Sequence, residues 1–399
     1  MSTMSLRDLA PSELEGRRVL IRVDYNVPLN EDGSVGDVTR IEATIPTLRY
    51  VMDHGGRPVL LSHLGRPKSQ VVPSLSLAPV APVLADLLGA PAKFVTSTDS
   101  SEAVDAIEAL PRGEVLLLEN TRFLPGETNN DLDLAARFAR LGDLFVNDAF
   151  GSTHRAHASV VGVTDFLRPA VAGFLVQKEL EALNTLREAG SRPFVVILGG
   201  AKIGDKIGLL ETFLESADVV LIGGAMANTF LAASGASTGL SLVEEEAVPT
   251  ARRLLETGAD KLRLPSDLIV ASPDAADATT ADVVAASSIP AYRAALDIGP
   301  DTWAAFGVIV RDAATVFWNG PMGMFERPGF DAGTVEVARA VADCTAGGGF
   351  TVIGGGDSAS AIRQAGLSDA VSHVSTGGGA SLQYLAKGTL PGIEVLDPA

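Results

Sequence analysis

Short apolar runs rich in valine, isoleucine and leucine alternate along the chain with longer amphipathic stretches. In the first half, the runs that predict strands are VLIRVDYN, RPVLLSH, EVLLLEN and DLFVNDAF. In the second half they are PFVVILGG, DVVLIGG, LIVAS, ATVFWNG, FTVIGGG and SHVSTGGG. Stretches with helical spacing, such as RIEATIPTLRYVMDHGG, separate these runs. This alternation is typical of βαβ units, so the pattern predicts an α/β fold built on parallel sheets.

The chain has 399 residues, which is too long for one ordinary hydrophobic core, so two domains are expected. A helical pattern from Phe174 to Ala189, with Pro169 and Pro193 on its flanks, lies between the two groups of strands. We therefore predict two doubly wound parallel-sheet (Rossmann-like) domains that face each other across a cleft and are joined by a central helix. The predicted segments are an N-terminal domain (1–172), a linking helix (173–190), a C-terminal domain (191–385) and a tail (386–399) that returns to the N-terminal domain.

The polar and glycine-rich signatures of the chain fall where the predicted strands stop. In the first half these are Asp24-Tyr-Asn26, His63-Leu-Gly-Arg66, Glu119-Asn-Thr-Arg122 and Asn147-Asp148. In the second half they are Gly199-Gly-Ala-Lys202, Asn319-Gly-Pro321, Gly354-Gly-Gly-Asp357 and Gly377-Gly-Gly379. Ligands of open parallel sheets bind outside the carboxyl ends of the strands. Two sheets that each carry such an edge predict two ligands that meet across a cleft.

Charge and composition narrow the choice of ligands. The net charge of −18 argues against a nucleic-acid partner. Through residue 192, however, 16 of the 19 cationic residues are arginines, and four of the five histidines lie there too. Such arginines either bind an anion or are simply exposed to solvent. A single cysteine, an N-terminus unlike a signal peptide and the lack of an apolar run of about 18 residues predict a cytoplasmic protein without a membrane segment.

Arginines and histidines dominate the first-half edge. They are Arg40, Arg66, Arg122, Arg155, His63 and His154. The planar guanidinium group binds phosphate or carboxylate through paired hydrogen bonds. A single loop arginine is usually a solvated surface residue, but three at separate strand ends make an anion site an equal alternative. A metal site for the histidines is disfavoured, because the segment HRAH lacks a nearby third type of ligand.

Glycines and helix starts dominate the second-half edge. The segments GGAKIGDK, IGGAM, GGGDSAS and TGGGAS would expose backbone N–H groups to an anion, which the helix dipole also favours. Lys202 and Lys206 follow the first of these glycine pairs, although no G-x-x-x-x-G-K-[ST] loop occurs in the chain. Asp357 is placed to hold Mg²⁺, with an ordinary helix N-cap as the alternative. Arginines opposite a glycine edge predict phosphoryl transfer between an anionic substrate and a nucleotide.

Two other classes of function fit part of the pattern. GGGDSA can be read as the dinucleotide fingerprint of a hydride-transferring enzyme, but no acidic residue about 20 positions later supports that interpretation. A non-enzymatic two-lobed anion-binding protein would also close on a ligand between two sheets, but such proteins are normally exported. The residues alone favour a two-domain phosphotransferase.

Eight segments, in the same order and across nearly the whole chain, closely resemble those of the phosphoglycerate kinase family. They are RVDYNVP, LLSHLGRP, LLLENTRF, VNDAFGSTHRAHAS, LGGAKIGDKI, WNGPMGMFE, GGGDSAS and STGGGASL. The resemblance implies reversible transfer of the acyl phosphate of 1,3-bisphosphoglycerate to MgADP, which gives 3-phosphoglycerate and MgATP. It also implies Mg²⁺ as the cofactor, a monomer that bends at a hinge, and no nucleic-acid or membrane partner.

The resemblance assigns residues to both predicted domains. The implied substrate-binding residues of the N-terminal domain are Asp24, Asn26, Arg40, His63, Leu64, Gly65, Arg66, Arg122 and Arg155. The implied nucleotide-binding residues of the C-terminal domain are Lys206, Asn319, Glu326, Gly355, Gly356, Asp357 and Ser358, with Asp357 also as the metal ligand. The implied catalytic residues are Arg40, Lys202 and Lys206. Ala295, where many family members have glycine, implies a slightly tighter adenine pocket, and Gln383 and Ala386 replace common glutamates.

Overall fold

The computed structural model describes residues 3–98, 100–188 and 191–399, without the side chain of Asp205. The chain has a mixed α/β fold with two parallel six-stranded sheets, which confirms the predicted fold class. It divides into two compact units. Unit 1 runs to Glu181 and takes in Thr389–Ala399, whereas unit 2 comprises Ala182–Gly388.

The sheet of unit 1 brings the first-half signatures to one edge. Its strands are β1 (Arg18–Val23), β2 (Arg57–Leu61), β3 (Ala92–Val95), β4 (Val115–Leu118), β5 (Leu144–Asp148) and β6 (Ala170–Ala172). The strand order is β3-β4-β2-β1-β5-β6, with parallel pairings throughout. The four strands predicted from the sequence, β4, β2, β1 and β5, are therefore consecutive neighbours. Their carboxyl ends lie side by side, as the polar signatures predict.

The helices of unit 1 are α1 (Thr39–Glu42), α2 (Ile45–Asp53), α3 (Val80–Leu88), α4 (Ser101–Glu108), α5 (Leu132–Ala139) and the first part of α6 (Phe174–Arg187). The stretch of helical spacing at residues 40–56 does not form one continuous helix, because a turn at residues 43 and 44 separates α1 from α2. Pro46 stands in the first turn of α2, where its missing N–H costs no hydrogen bond. The predicted central helix corresponds to α6, which passes from unit 1 to unit 2 after Glu181. Ala189, its predicted end, lies outside the described residues.

Unit 2 contains one parallel and one antiparallel sheet. Its strands are β7 (Phe194–Leu198), β8 (Val219–Ile222), β9 (Leu262–Arg263), β10 (Asp267–Ala271), β11 (Asp282–Ala285), β12 (Ala294–Ile298), β13 (Thr315–Asn319), β14 (Phe350–Gly354) and β15 (His373–Val374). The parallel sheet has the order β15-β14-β13-β7-β8-β9, and β10 pairs antiparallel with β11 and β12. The expectation that LIVAS continues the parallel sheet is therefore wrong. β10 is buried along its whole length, and a fully buried apolar strand looks alike in sequence whichever sheet it joins.

The helices that complete the fold are α7 (Ile207–Ser216), α8 (Gly224–Ala233), α9 (Val248–Thr257), α10 (Pro300–Arg311), α11 (Ala332–Ala346), α12 (Gly356–Gln364), α13 (Gly379–Lys387) and α14 (Pro391–Glu394). α8 and α12 begin two residues after the strands that precede them. Their N-terminal amides therefore lie at the carboxyl edge of the parallel sheet, which is where an anion would bind. α14 belongs to unit 1, where Gly392 N donates to the Thr153 carbonyl at 2.8 Å.

Each unit has its own hydrophobic core. In unit 1, apolar residues of β1, β2 and β5 pack with those of α2 and α3. In unit 2, residues of β7, β13 and β14 pack with α10, α11 and α12. Trp318 is fully buried there, and its indole N–H donates to the Gly320 carbonyl at 2.8 Å, which fixes the chain just after β13. Both cores thus support the strand ends that carry the polar and glycine-rich segments.

Candidate active site

The end of β1 places Asp24 among cationic side chains of unit 1. Arg40, in α1, donates from Nη1 to Asp24 Oδ2 at 2.7 Å. His63 Nδ1, just after β2, lies 3.7 Å from Asp24 Oδ1, and no described residue forms a hydrogen bond with that oxygen. The structure thus brings three of the sequence-predicted residues together, from three different elements. An acceptor oxygen without a donor in this cluster fits a hydroxyl group of a bound substrate.

The turn after β2 is held from both sides. Gly65 N donates to Asn26 Oδ1 at 2.8 Å, and the Gly65 carbonyl accepts from Arg122 Nη1 at 2.7 Å. Gly65 has a φ of 63°, a backbone conformation that side chains rarely adopt. The Leu64 carbonyl accepts from Asn120 Nδ2 at 2.7 Å. These bonds orient Arg122 and the turn together, as one rigid edge.

Arg66 and Arg155 extend the cationic cluster to the surface. Both side chains are exposed. Arg155 Nε donates to His154 Nε2 at 3.0 Å, so the side chains of these two residues of the HRAH segment are in contact. Their long side chains can reach an anion without displacing any part of the core.

The electrostatics of the edge favour an anion. Burial, with the nearby Arg22 and Arg155, lowers the pKa of Arg122 to about 10. Burial, with Arg22 and Arg122 beside it, holds the pKa of His63 well below its usual value, so this ring is neutral. Like charges that depress each other's pKa are short of counter-charge. A phosphate bound here would supply it.

Sequence reasoning missed Arg22 and Asn120 as parts of this site. Arg22 is fully buried in β1, and its Nη2 lies 3.1 Å from His63 Nδ1. Because arginine can only donate, Nδ1 of His63 accepts this bond, which agrees with a neutral ring. One signal was available: a charged residue within the otherwise apolar run VLIRV is rare unless it is paired.

The edge of unit 2 is formed by backbone. Asn319 pairs in register with Leu198 on one side and with Gly354 on the other, so the chain leaves β7, β13 and β14 at the same level. A cavity of about 370 Å³ opens there. Its lining includes Gly200, Lys202, Lys206, Asn319, Gly320, Gly355, Gly356, Asp357, Ser358, Gly378 and Gly379. The structure thereby gathers most of the predicted nucleotide-binding residues in one cavity.

The two lysines differ in their surroundings. Lys206 Nζ donates to the Gly199 carbonyl at 2.5 Å and to the Asn319 carbonyl at 3.3 Å. Lys202 is exposed at the cavity wall. One ammonium group is thus fixed by the loops it joins, and the other is free to turn toward a ligand.

Two predicted nucleotide-binding side chains point into the protein. Asn319 Nδ2 donates to the Gly354 carbonyl at 2.7 Å, and Ser358 Oγ accepts from Gly320 N at 2.5 Å. Both residues are buried. The two side chains hold the glycine loops in place. The backbone groups of these loops, more than the side chains of Asn319 and Ser358, are therefore available to a phosphate.

A second cavity of unit 2, of about 420 Å³, adjoins the first, and both are lined by Gly200 and Asp357. Its walls are mainly apolar, from residues such as Leu240, Leu242 and Met324, and it includes Ala295 and Glu326. An apolar slot beside a phosphate-binding edge suits a nucleotide base. Sequence reasoning missed Asp297 in its wall, whose pKa burial raises to about 8.

The family model for phosphoglycerate kinase matches residues 6–388. The chain belongs to the phosphoglycerate kinase family. It is 51% identical to the phosphoglycerate kinase of Chlorobaculum tepidum over 397 residues, which cover 99% of this chain and 100% of that protein. It is 50% identical to that of Thermomicrobium roseum, with 98% of each chain covered.

Solved phosphoglycerate kinase structures have the same fold. The structure from Coxiella burnetii superposes with a TM-score of 0.85 at 38% identity, covering 99% of this chain and 98% of that one. The one from Pyrococcus horikoshii has a TM-score of 0.86 at 32% identity, with 98% of each chain covered. The expectation of a kinase is confirmed, whereas nothing in these likenesses supports a non-enzymatic binding protein.

The residues of unit 2 fit the Mg²⁺ that a kinase of this family is expected to use. Asp357 is exposed in the first turn of α12, where it lines both cavities. Within the described ranges, no three His, Cys, Asp or Glu side chains are grouped as ligands for a metal. A lone carboxylate suits Mg²⁺, which often takes one or two carboxylates together with phosphates and water. None of the described helices has the length and apolar character needed to cross a membrane.

Proposed function

We propose that this chain performs the reaction of the phosphoglycerate kinase family, with phosphoglycerate bound at unit 1 and ATP or ADP at unit 2. The observation that carries the proposal is the pair of unlike anion sites, one in each unit. A cluster of guanidinium groups edges one sheet. Glycine-rich loops beside an apolar cavity lie at the edge of the parallel sheet of unit 2.

In unit 1, the exposed arginines bind the phosphate that is not transferred. Arg66 and Arg155 supply mobile charge, while Arg122 and the neutral His63 supply donors fixed by the protein. Asp24 and Asn26 bind the glycerate part, and the turn at Leu64 and Gly65 shapes the floor. Arg40, which donates to Asp24 Oδ2, faces the carboxylate that accepts the phosphoryl group. The family resemblance implies this division, and the exposure of Arg66 and Arg155 and the hydrogen bond of Arg122 to the Gly65 carbonyl support it.

In unit 2, the backbone of Gly355 and Gly356 and the start of α12 bind the nucleotide phosphates. Asn319 and Ser358 hold that backbone, Lys206 holds the loop after β7, and Glu326 contacts the ribose at the second cavity. Asp357 would hold Mg²⁺ together with the phosphates, and the bound ion would offset charge on their oxygens.

The reaction proceeds in line and without a phospho-enzyme. A carboxylate oxygen of 3-phosphoglycerate attacks the γ-phosphorus of ATP, a new P–O bond forms, the bond to the β–γ bridging oxygen breaks, and ADP leaves. Arg40 and Lys202 approach the oxygens of the moving group and neutralise the charge that spreads over them. The mechanism includes closure of the two units, which aligns the substrates and excludes water.

We also propose that the enzyme acts as a cytoplasmic monomer. One chain supplies both proposed sites, so no second copy is required. Its single cysteine, Cys344, is buried, and its thiol donates to the Ala313 carbonyl at 3.2 Å, so the fold needs no oxidising compartment. Light scattering at micromolar concentration should give the mass of one chain, 41.2 kDa.

The proposal is tested by ADP release from ATP, with and without 3-phosphoglycerate and Mg²⁺. We expect turnover that requires all three and collapses in a Lys202→Ala variant. Turnover without 3-phosphoglycerate would identify an ATPase instead. Saturable binding of both ligands without any turnover would contradict the proposed chemistry.

A further inference from the structure

A buried carboxylate lies beneath the arginine edge of unit 1. Glu127, in the turn that follows Arg122 and Gly126, is 0% exposed to solvent. Burying an ionised carboxylate is costly unless hydrogen bonds and nearby charge compensate it. None of the steps proposed above uses this residue.

Hydroxyl and amide donors surround the Glu127 carboxylate. Oε1 accepts from the Ser159 hydroxyl at 2.6 Å and from the Thr121 hydroxyl at 3.2 Å. Oε2 accepts from Ser159 N at 3.0 Å. The nearest histidine atom, His157 Nδ1, is 3.8 Å from Oε1. Ser159 therefore provides two of the three hydrogen bonds that described residues donate to this carboxylate.

Ser159 also contacts a buried cation, the guanidinium group of Arg22. Arg22 Nε donates to Ser159 Oγ at 2.9 Å, and Arg22 Nη2 in turn lies 3.1 Å from His63 Nδ1. Arg22 and Ser159 are 0% exposed and His63 only 5%. The buried path Glu127–Ser159–Arg22–His63 thus ends on a ring at the proposed substrate site.

Glu127 also joins the two loops that carry surface arginines. Thr121 immediately precedes Arg122, and Ser159 follows Arg155 by four residues. The backbone carbonyl of Glu127 accepts from Ala158 N at 2.9 Å, which adds a main-chain bond to the second loop. The separation of the two guanidinium groups therefore depends on the loop of Glu127.

Charge supports the same arrangement. Burial lowers the pKa of Arg22, and the nearby Glu127 and Asp24 carboxylates oppose that shift. Glu127 likewise opposes the lowering of the Arg122 pKa that burial causes. Glu127 is thus a counter-charge behind a cationic cluster whose open side faces the site.

We propose that Glu127 is a positioning residue for 3-phosphoglycerate binding, which acts through Ser159 to orient Arg22 and His63 and to fix the spacing of Arg122 and Arg155. The proposal rests on the proposed function of unit 1. It predicts that loss of the Glu127–Ser159 pair weakens phosphoglycerate binding and leaves the nucleotide site of unit 2 intact. A purely structural role would lower thermal stability without separating the two substrates.

The experiment is a double-mutant cycle on the full-length enzyme, with Glu127→Gln, Ser159→Ala and the double variant. We expect each single variant to raise KM for 3-phosphoglycerate by about tenfold, because each loses a hydrogen bond to a charged group. KM for ATP should stay within about twofold of the wild-type value. The double variant should be no worse than Glu127→Gln alone, because both changes break one path.

A matched control removes a carboxylate from the opposite end of the same sheet. Asp143, just before β5, contacts Arg18 Nη2 at 2.6 Å. Asp143→Asn should leave both KM values at the wild-type level, whatever it does to the melting temperature. Ser159→Ala removes only one oxygen, so it tests the proposal even if Glu127→Gln fails to fold.

Three outcomes would overturn the proposal: a wild-type KM for 3-phosphoglycerate in Ser159→Ala, an equal rise in both KM values, or multiplicative effects in the double variant. The wild-type enzyme separates this failure from that of the proposed function. If wild-type turnover does not need 3-phosphoglycerate, the function itself is wrong. If it does, and the variants behave like the wild type, only the positioning role is wrong.

Discussion

The two units bind anions by opposite means. The site of unit 1 consists of charged side chains, such as Arg40 and Arg122, whose positions are set by the hydrogen bonds that they donate to Asp24 and to the Gly65 carbonyl. The site of unit 2 consists mainly of backbone, with glycines at the ends of β7, β13 and β14. Removing a side chain should therefore damage unit 1, whereas adding one should damage unit 2.

This difference follows from what each site is proposed to hold. The phosphate of a small substrate offers little surface besides its charge, so guanidinium groups that reach it from several loops are required. A nucleotide offers a base that an apolar cavity can bury, and a row of phosphates that can lie along backbone amides. We propose side-chain charge from each unit for the phosphoryl group that is transferred.

The largest effect on turnover should come from removing either charge aimed at that group. Arg40→Ala in unit 1 and Lys202→Ala in unit 2 should each lower kcat by about 10²–10³-fold, because a charge directed at the transition state stabilises it by several kcal/mol. KM for either substrate should change by less than about fivefold. Steady-state kinetics with both substrates varied would measure this. If the loss in either variant lay wholly in KM, that residue would belong to ground-state binding.

The next largest effect should come from adding a methyl group to unit 2. Gly355 has a φ of 89°, and a Cβ there would lie 2.5 Å from Asn319 Nδ2, which donates to the Gly354 carbonyl. Gly355→Ala should therefore raise KM for ATP by at least about tenfold and lower the melting temperature, since strain of this kind costs about 1–3 kcal/mol. KM for 3-phosphoglycerate should not change.

The neighbouring glycine is the matched control for the fold. A Cβ at Gly356 would meet no atom of the described part of the chain within 4 Å. Gly356→Ala should keep the wild-type melting temperature, even though its methyl group would face the nucleotide site. Equal melting temperatures for the two variants would contradict the view that the backbone at Gly355 is built for glycine alone.

Much of both sites could be predicted from where the strands stop. Parallel strands place their carboxyl ends together, so Asp24, His63 and Arg122 could be expected at one edge before any contact was known. The direction in which a side chain points could not. The resemblance implies that Asn319 and Ser358 bind the nucleotide, but it does not say that their side chains are buried and hydrogen-bonded to backbone groups of neighbouring loops. That choice depends on neighbouring loops, which local sequence does not specify.

Long-range partners explain most of what the sequence leaves open. Arg22 contacts Ser159, 137 positions away, so neither residue reveals its role within its own segment. The antiparallel sheet of β10, β11 and β12 was missed for a related reason, because β10 has the same apolar character as the parallel strands. Periodicity reports burial, and pairing partners are decided by the rest of the fold.

A smaller effect on turnover is expected for an exposed arginine of unit 1. Arg66→Ala should raise KM for 3-phosphoglycerate by about 10–100-fold with little change in kcat, because the phosphate it holds does not react. Arg66→Lys keeps the charge but not the planar fork, so its KM should lie between those of the wild type and Arg66→Ala. The same kinetic profile in Arg66→Ala and Arg40→Ala would contradict the separate roles of the two arginines.

The smallest change in turnover is expected from a buried carboxyl group of unit 1, whose protonation should change the stability of the fold instead. Asp148, at the end of β5, is fully buried, and its Oδ1 accepts from Leu175 N at 2.9 Å. Burial raises its pKa to about 7, from about 4 in an unfolded chain. Between these values the folded state keeps a proton that the unfolded state releases, so stability falls as the pH rises from about 4 to about 7. Asp148→Asn removes this titration.

Melting temperatures at pH 5 and pH 8 measure the difference. The wild type should lose stability between them relative to Asp148→Asn, by at most about 1.4 kcal/mol per pH unit. Asp148→Asn keeps the Oδ1 acceptor and replaces Oδ2, which has no hydrogen-bond partner among the described residues. Asp297 of unit 2 does not offer such a test, because both of its oxygens accept backbone N–H groups, from Ile298 and Gly333. A constant difference between wild type and Asp148→Asn at the two pH values would show that Asp148 is ionised throughout, with the start of α6 stabilising its charge.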